Sequence, residues 1–194
     1  MAKRLSRPEV VERAALLADE VGLHQLSFTR LGRALGIAPP GVYRHVANLN
    51  ELRAAINAHA ARQVTAALSS ACAGLSERDA LAALAQTLRV WAKEHPGQYE
   101  ALQIAPEPDD GAGQIAAEAL LSVITASIKG YSLPDVDLTD SIRLIRSTVH
   151  GFVALELAGG FKQPRDINVS FERAIDSLDS TLRTWAMRPD PAPW

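Results

Sequence analysis

Tyr43, Arg44 and His45 stand in succession, with Gly41 two residues before them and Pro39-Pro40 ahead of that. An arginine can fork two N–H groups onto O6 and N7 of a guanine, and tyrosine and histidine can reach phosphates beside it. Gly41, in the first turn of a helix, would let the backbone approach DNA and leave amides free to meet a phosphate. This chemistry requires a helix whose other face is buried, and Val42 and Val46 are spaced to supply that face. Taken alone, such a strip is equally a solvated basic surface, so the elements that position it decide between the two readings.

Those elements begin at Ser6-Arg7-Pro8-Glu9, where a capping serine, a proline in the first turn and a glutamate able to bond back to the cap open a helix. Val10, Ala14, Leu17, Ala18 and Val21 continue at helical spacing, and Gly22 ends the run. Ser27-Phe28-Thr29 opens a second helix with Leu31, Ala34 and Leu35 on one face and Gly36 as its stop. Only Ile37-Ala38 separates that stop from Pro39-Pro40, which start a third helix carrying Val42 and Val46 inward. Two helices joined by so short a glycine-containing turn make a helix-turn-helix, whose second helix can enter the major groove.

The charge distribution agrees. Residues 1–62 hold nine Lys/Arg against five Asp/Glu, whereas the remainder holds eleven against seventeen. A basic head on an acidic body suits a polyanion-binding module joined to something else. Lys3 and Arg4, at the start, are candidates for sequence-independent phosphate contacts. Alanine is abundant and strand-period runs of Val, Ile and Thr are scarce, which favours helix throughout. No apolar run is expected to reach membrane-crossing length, and MAKRLSRPE offers no hydrophobic stretch for a secretory signal. With Cys72 as the single cysteine, a reducing cytoplasm is the expected location.

The stretch from Ser6 to Ala54, above all LSFTRLGRALGIAPPGVYRHVANLNEL, resembles the DNA-binding domain of the TetR family of bacterial transcriptional regulators. The resemblance rests on Leu31…Leu35-Gly36-Ile37, on Val42-Tyr43-Arg44-His45-Val46 and on Glu51-Leu52 opening the next helix. It implies an all-α chain of about nine helices, with a three-helix DNA-binding domain followed by a helical ligand-binding and dimerisation domain. It places Thr29, Arg30, Pro40, Gly41, Tyr43, Arg44 and His45 at DNA. Two positions depart from the family pattern. Leu49 stands where a phosphate-contacting lysine is usual, leaving Asn48 or Asn50 to substitute or the contact missing. Gly41 stands where a hydroxyl residue is common, so no side chain can read a base there.

Residues 1–50 are therefore read as the DNA-binding domain, 51–187 as the ligand-binding and dimerisation domain, and 188–194 as an irregular tail whose Trp194 has no evident burial partner. A fourth helix, near Asn50 to Ala73, would tie head to body and act as a lever between them. The body is similar to the WHG type of C-terminal domain through Trp91…His95-Pro96…Tyr99 and His150-Gly151-Phe152…Leu155-Glu156…Gly159…Phe161. That resemblance implies an inducer pocket. Trp91, Tyr99, Leu102, Gln103, Ile124, Thr148 and Phe152 are its candidate lining, weighed against plain core packing, and they suit a mainly apolar, uncharged ligand. An eighth helix over Leu138–Ala158 is apolar on two sides, and a ninth over Ser170–Met187 carries a stripe of large residues. Pairing with the same two helices of a second copy would give a four-helix dimer seam. Gly151, Ala154, Leu155, Ala158, Ile175, Leu178, Leu182 and Trp185 are its candidates, although Gly151 equally suits packing inside one subunit.

Catalysis is disfavoured, because His59, His95 and His150 fall on separate helices and no nucleophile elbow, phosphate loop or paired-cysteine zinc pattern appears. No cofactor and no metal are expected, and the acids of Pro106–Gly111 read as a solvated loop. A helical sensor that has lost DNA binding remains an alternative, with Leu49 and Gly41 for it and Lys3, Arg4, Arg30 and Arg44 against it. The expected function is a homodimeric repressor on a palindromic operator, its half-sites about 34–36 Å apart, released by a small inducer. Activation in place of repression is left open.

Overall fold

The computed structural model describes residues 5–187, and every regular element among them is helical. In order these are α1 (Arg7–Val21), α2 (Phe28–Leu35), α3 (Pro39–Val42), α4 (Leu49–Cys72), α5 (Glu77–Glu94), α6 (Pro96–Ala101), α7 (Gly111–Ile128), α8 (Asp135–Leu157) and α9 (Ile167–Ala186). Short 3-10 turns occupy Leu23–Gln25 and Lys129–Tyr131. The expectations for Lys3, Arg4 and the tail from Arg188 to Trp194 lie outside the described residues.

The local signals account for the starts and stops. The Ser6 hydroxyl accepts from the Glu9 amide while the Glu9 carboxylate accepts from the Ser6 amide, a reciprocal cap. Ser27 caps α2 by accepting from the Arg30 amide, and Gly36 closes it in the left-handed region at φ 68°. The third helix differs from expectation by ending at Val42. The Ala47 N–H that would continue it goes to the Glu51 carboxylate at 2.6 Å, so the chain leaves the helix. Gly111–Tyr131 is a 21-residue helical run of mean hydropathy 1.3, which by length and composition alone could cross a membrane. The expectation that no run reaches that length is therefore corrected. Gln114, Glu118 and small polar residues interrupt it in the sequence and hide its average.

The chain divides into two compact units, otherwise than at residue 50. One comprises the residues up to Thr65 together with Trp91–Leu120, and the other Ala66–Val90 together with the residues from Leu121 onward. In the first, Val10, Leu17, Leu31, Val42, Val46, Leu52 and Ile56 form a core that also takes in Ala101 of α6. Asp19, near the end of α1, fastens α6 to this core. Its carboxylate accepts from the Gln98 backbone amide at 2.9 Å and from the Gln98 side-chain amide at 2.7 Å, and lies 3.2 Å from His95 Nδ1. A Cβ on Gly97 would collide with the Ala18 carbonyl, so glycine allows the two helices to touch backbone to backbone.

In the second unit α5, α8 and α9 meet around Arg89. Its guanidinium donates to both oxygens of Glu156 at 2.6 and 2.7 Å and to Asn168 at 3.0 Å, and lies over the Phe171 ring at 4.8 Å. Phe152 packs against Phe161 and Phe171 alongside. Arg89→Met should destabilise the protein by about 3–5 kcal/mol, because it removes the two-pronged partner of the Glu156 carboxylate in a nearly closed site, whereas adding Glu156→Leu should recover most of that loss. Denaturant unfolding of the single and double variants checks this. Asp19→Ala should cost about 1–3 kcal/mol for the buried amides it leaves unpaired, read by the same measurement.

Candidate nucleic-acid interface

The helix-turn-helix lies wholly within the first unit. Val42 and Val46 are buried at 0 % and 2 % exposure, and Tyr43, at 58 % exposure, and Arg44 face solvent. Four helical residues cannot hold a helix by themselves. The segment is held instead at both ends by long-range contacts. Tyr43 stands edge-on against Phe28 of α2, centroids 4.6 Å apart. Arg7 Nε donates to the His45 carbonyl at 3.2 Å, and the same guanidinium pairs with Glu51 at 3.0 Å. Glu51 in turn accepts from the Ala47 amide, so one guanidinium and one carboxylate tie the start of α1, the end of the exposed turn and the start of α4 together.

Thr29, Arg30, Pro40 and Asn48 are exposed, and His45 is half-buried with its backbone carbonyl committed to Arg7. Asn48 Oδ1 accepts from the Glu51 amide at 2.9 Å, so Asn48 is first of all the cap of α4. Leu49 packs its side chain against the head core, which explains an apolar residue there. A Cβ on Gly41 would lie 3.2 Å from Ile37 Cδ1, so this glycine relieves a contact within the head. Gly32 does the same more severely: its Cβ would stand 2.8 Å from the Ile37 carbonyl, across the turn itself.

Cations are not spent evenly. Arg7 and Arg13 are tied to Glu51 and Glu20. Arg30, Arg33 and Arg44 are exposed and make no ion pair among the described residues. Arg33 escaped the sequence reading because its position in the last turn of α2 reads as helix-dipole compensation. Only the pattern of paired and unpaired guanidinium groups brings it out.

The seven candidate pocket residues divide between the units. Trp91 and Tyr99 are buried and Leu102 and Gln103 half-buried in the first, with Gln103 donating to the Tyr99 carbonyl at 3.0 Å. Ile124, Thr148 and Phe152 are half-buried in the second. Of the seam candidates, Ile175, Leu178 and Leu182 lie inside their own chain's core at 0–4 % exposure, a correction to their placement at an interface. The stripe on α9 packs inward because α5 and α8 of the same chain already cover it. Gly151 and Ala154 are half-covered, Leu155 and Ala158 exposed, and Trp185 half-buried.

Residues 81–178 match the family described as tetracyclin repressor-like, C-terminal domain. An uncharacterized HTH-type transcriptional regulator of Mycobacterium tuberculosis is 31 % identical over 157 residues, covering 80 % of this chain and 72 % of its own. A second such regulator, YobS of Bacillus subtilis, is 27 % identical over 93 % of this chain and 91 % of its own. Among solved structures, BioQ with its double-stranded DNA operator superposes with TM-score 0.64 at 22 % identity, over 91 % of this chain and 99 % of that one. A variant TetR of Acinetobacter baumannii in complex with minocycline does so with TM-score 0.70 at 20 % identity, over 95 % and 100 %. At such identities these two show a shared fold. The chain is a helix-turn-helix transcriptional regulator, and it belongs to the TetR family.

The Glu51 carboxyl is held below its ordinary value of 4.5, first by the Ala47 amide and, against a burial penalty, by the Arg7 guanidinium. A group lowered in the folded state adds stability above its unfolded value and loses it as pH falls through the folded one. Glu51→Gln should therefore lower Tm at pH 6–8 by an amount equivalent to roughly 1 kcal/mol or less for so exposed a pair, and the gap to the parent should close below about pH 4. Thermal unfolding across a pH series checks it.

Proposed function

We propose that this chain is a cytoplasmic, ligand-responsive transcriptional repressor that binds a palindromic operator as a homodimer and is released by a small, mainly apolar inducer. The observation that carries the DNA part is the exposed Tyr43–Arg44 turn, braced by Phe28, Arg7 and Glu51, among guanidinium groups left without carboxylate partners. A brace of that kind presents a side chain to a groove edge in one orientation, which direct readout needs. The operator-bound relative supports the same use of the fold.

The inducer part draws support from α6. Tyr99 sits on it and Leu102 and Gln103 follow it, while Asp19 and the Gly97–Ala18 contact clamp it to α1. A ligand that prefers a shifted α6 pulls on the helix that carries Arg7, and so on the turn Arg7 holds. Only a difference in affinity between the two conformations moves that equilibrium. The second apolar side of α8 supports the dimer. Leu155 is exposed at 52 %, and a Cβ at Gly151, one turn before it on the same side, would meet nothing within 4 Å. That leaves room for a close approach by a second copy.

Fluorescence anisotropy on a palindromic site from the gene's own upstream region tests the reading. Arg44→Ala should cost about 1–3 kcal/mol on the specific site and narrow the gap to random DNA, while Arg33→Ala should weaken both alike and lower the salt slope by about one. Equal losses from Arg44→Ala on specific and random DNA would remove its assigned role. Sedimentation should give twice the chain mass, and a monomer would overturn the palindrome.

A further inference from the structure

Within the first unit, α1, α4 and the loop leading into α7 enclose a cleft of about 740 Å³, a size usual for small-molecule sites. None of the residues expected to hold an apolar inducer lines it. Its apolar walls come from Val11, Ala54, Ala55, Ala58 and Ala112. Its charged lining is unbalanced. Arg7 and Glu51 neutralise each other in their own pair, which leaves Glu12, Glu107 and Asp109, with Asp110 committed to the Gly113 amide, against the guanidinium of Arg62 in the same lining. Glu12, Glu107 and Asp109 make no ion pair among the described residues.

We infer that this cleft is a second effector site, for an organic cation with an apolar body. Exposed carboxylates gathered along a concave wall attract a cation and repel phosphate. The acids are too dispersed to chelate, since no three metal-ligating groups converge among the described residues, and a diffuse charge therefore fits better than a metal ion. The alanine wall gains by covering apolar surface. Burial and then Arg62 hold His59 below its ordinary value, which disfavours its charged form, and its Nε2 lies 2.9 Å from the Gln63 side-chain amide.

Occupancy has a route to the recognition turn. Arg7 and Glu51, which hold the His45 carbonyl and the Ala47 amide, form part of the same wall. That consequence rests on the DNA-binding reading above, but the binding itself does not.

Calorimetry of the full chain without DNA separates the two. Tetraphenylphosphonium is the probe, and tetraphenylborate is its match in shape with reversed charge. The cation should bind once per chain and the anion far more weakly. Glu12→Gln/Glu107→Gln/Asp109→Asn should weaken the cation by roughly tenfold, and Ala55→Trp should abolish binding by filling the wall. Arg62→Glu, a single exposed change that removes the opposing charge, should tighten binding roughly threefold and keeps the test decisive if the triple variant fails to fold. Absence of cation binding, equal binding of the borate, or an affinity indifferent to Ala55→Trp and Arg62→Glu would overturn the site. With the cation bound, weakened operator affinity supports the coupling. Unchanged operator affinity would remove the coupling alone.

Discussion

A third helix of four residues is too short to be stable by itself, and the arrangement of the head follows from that constraint. Val42 and Val46 anchor the segment by burial, and burial of positions one helical turn apart is what turns Tyr43 and Arg44 outward. The backbone groups released where the helix stops are taken up by Arg7 and Glu51, which belong to other helices. An exposed ion pair of this kind contributes little to global stability. Its importance is geometric: it makes the position of the turn depend on where α1 and α4 lie.

Asp19 extends the same dependence. A carboxylate at the end of one helix satisfies the amides at the start of another, and Gly97 allows the backbones to meet. In consequence α6 belongs to the compact unit that carries the helix-turn-helix, although almost eighty residues of chain intervene. The other unit is organised around a different buried charge, the Arg89–Glu156 pair under a cluster of three phenylalanines. In each unit a buried polar group aligns helices that apolar packing alone would leave free to slide.

Charge is partitioned within the head itself. Guanidinium groups of α1 are consumed by carboxylates of the same unit, whereas those of α2 and of the exposed turn stay open. The carboxylates that the head does not pair gather instead along the α1–α4 cleft. One small unit thus carries exposed guanidinium groups on α2 and the turn and exposed carboxylates along the cleft, with Arg7 and Glu51 touching both.

What the residue order determined by itself was everything settled within a few positions of the chain. The caps at Ser6 and Ser27, the left-handed stop at Gly36, the inward valines and the outward Tyr43 and Arg44 all follow from helical periodicity and from bonds between near neighbours. The family was legible for the same reason, since its motif is local. Tertiary structure alone decided matters that depend on partners far apart in sequence. It set Asn48 to capping, ended α3 at Val42, clamped α6 to α1, and turned Ile175, Leu178 and Leu182 into their own core where periodicity had allowed a seam. It also gathered the cleft's acids from α1 and from a loop nearly a hundred residues later. A periodic pattern states that a face is buried, but which surface buries it is a long-range property that no local spacing encodes.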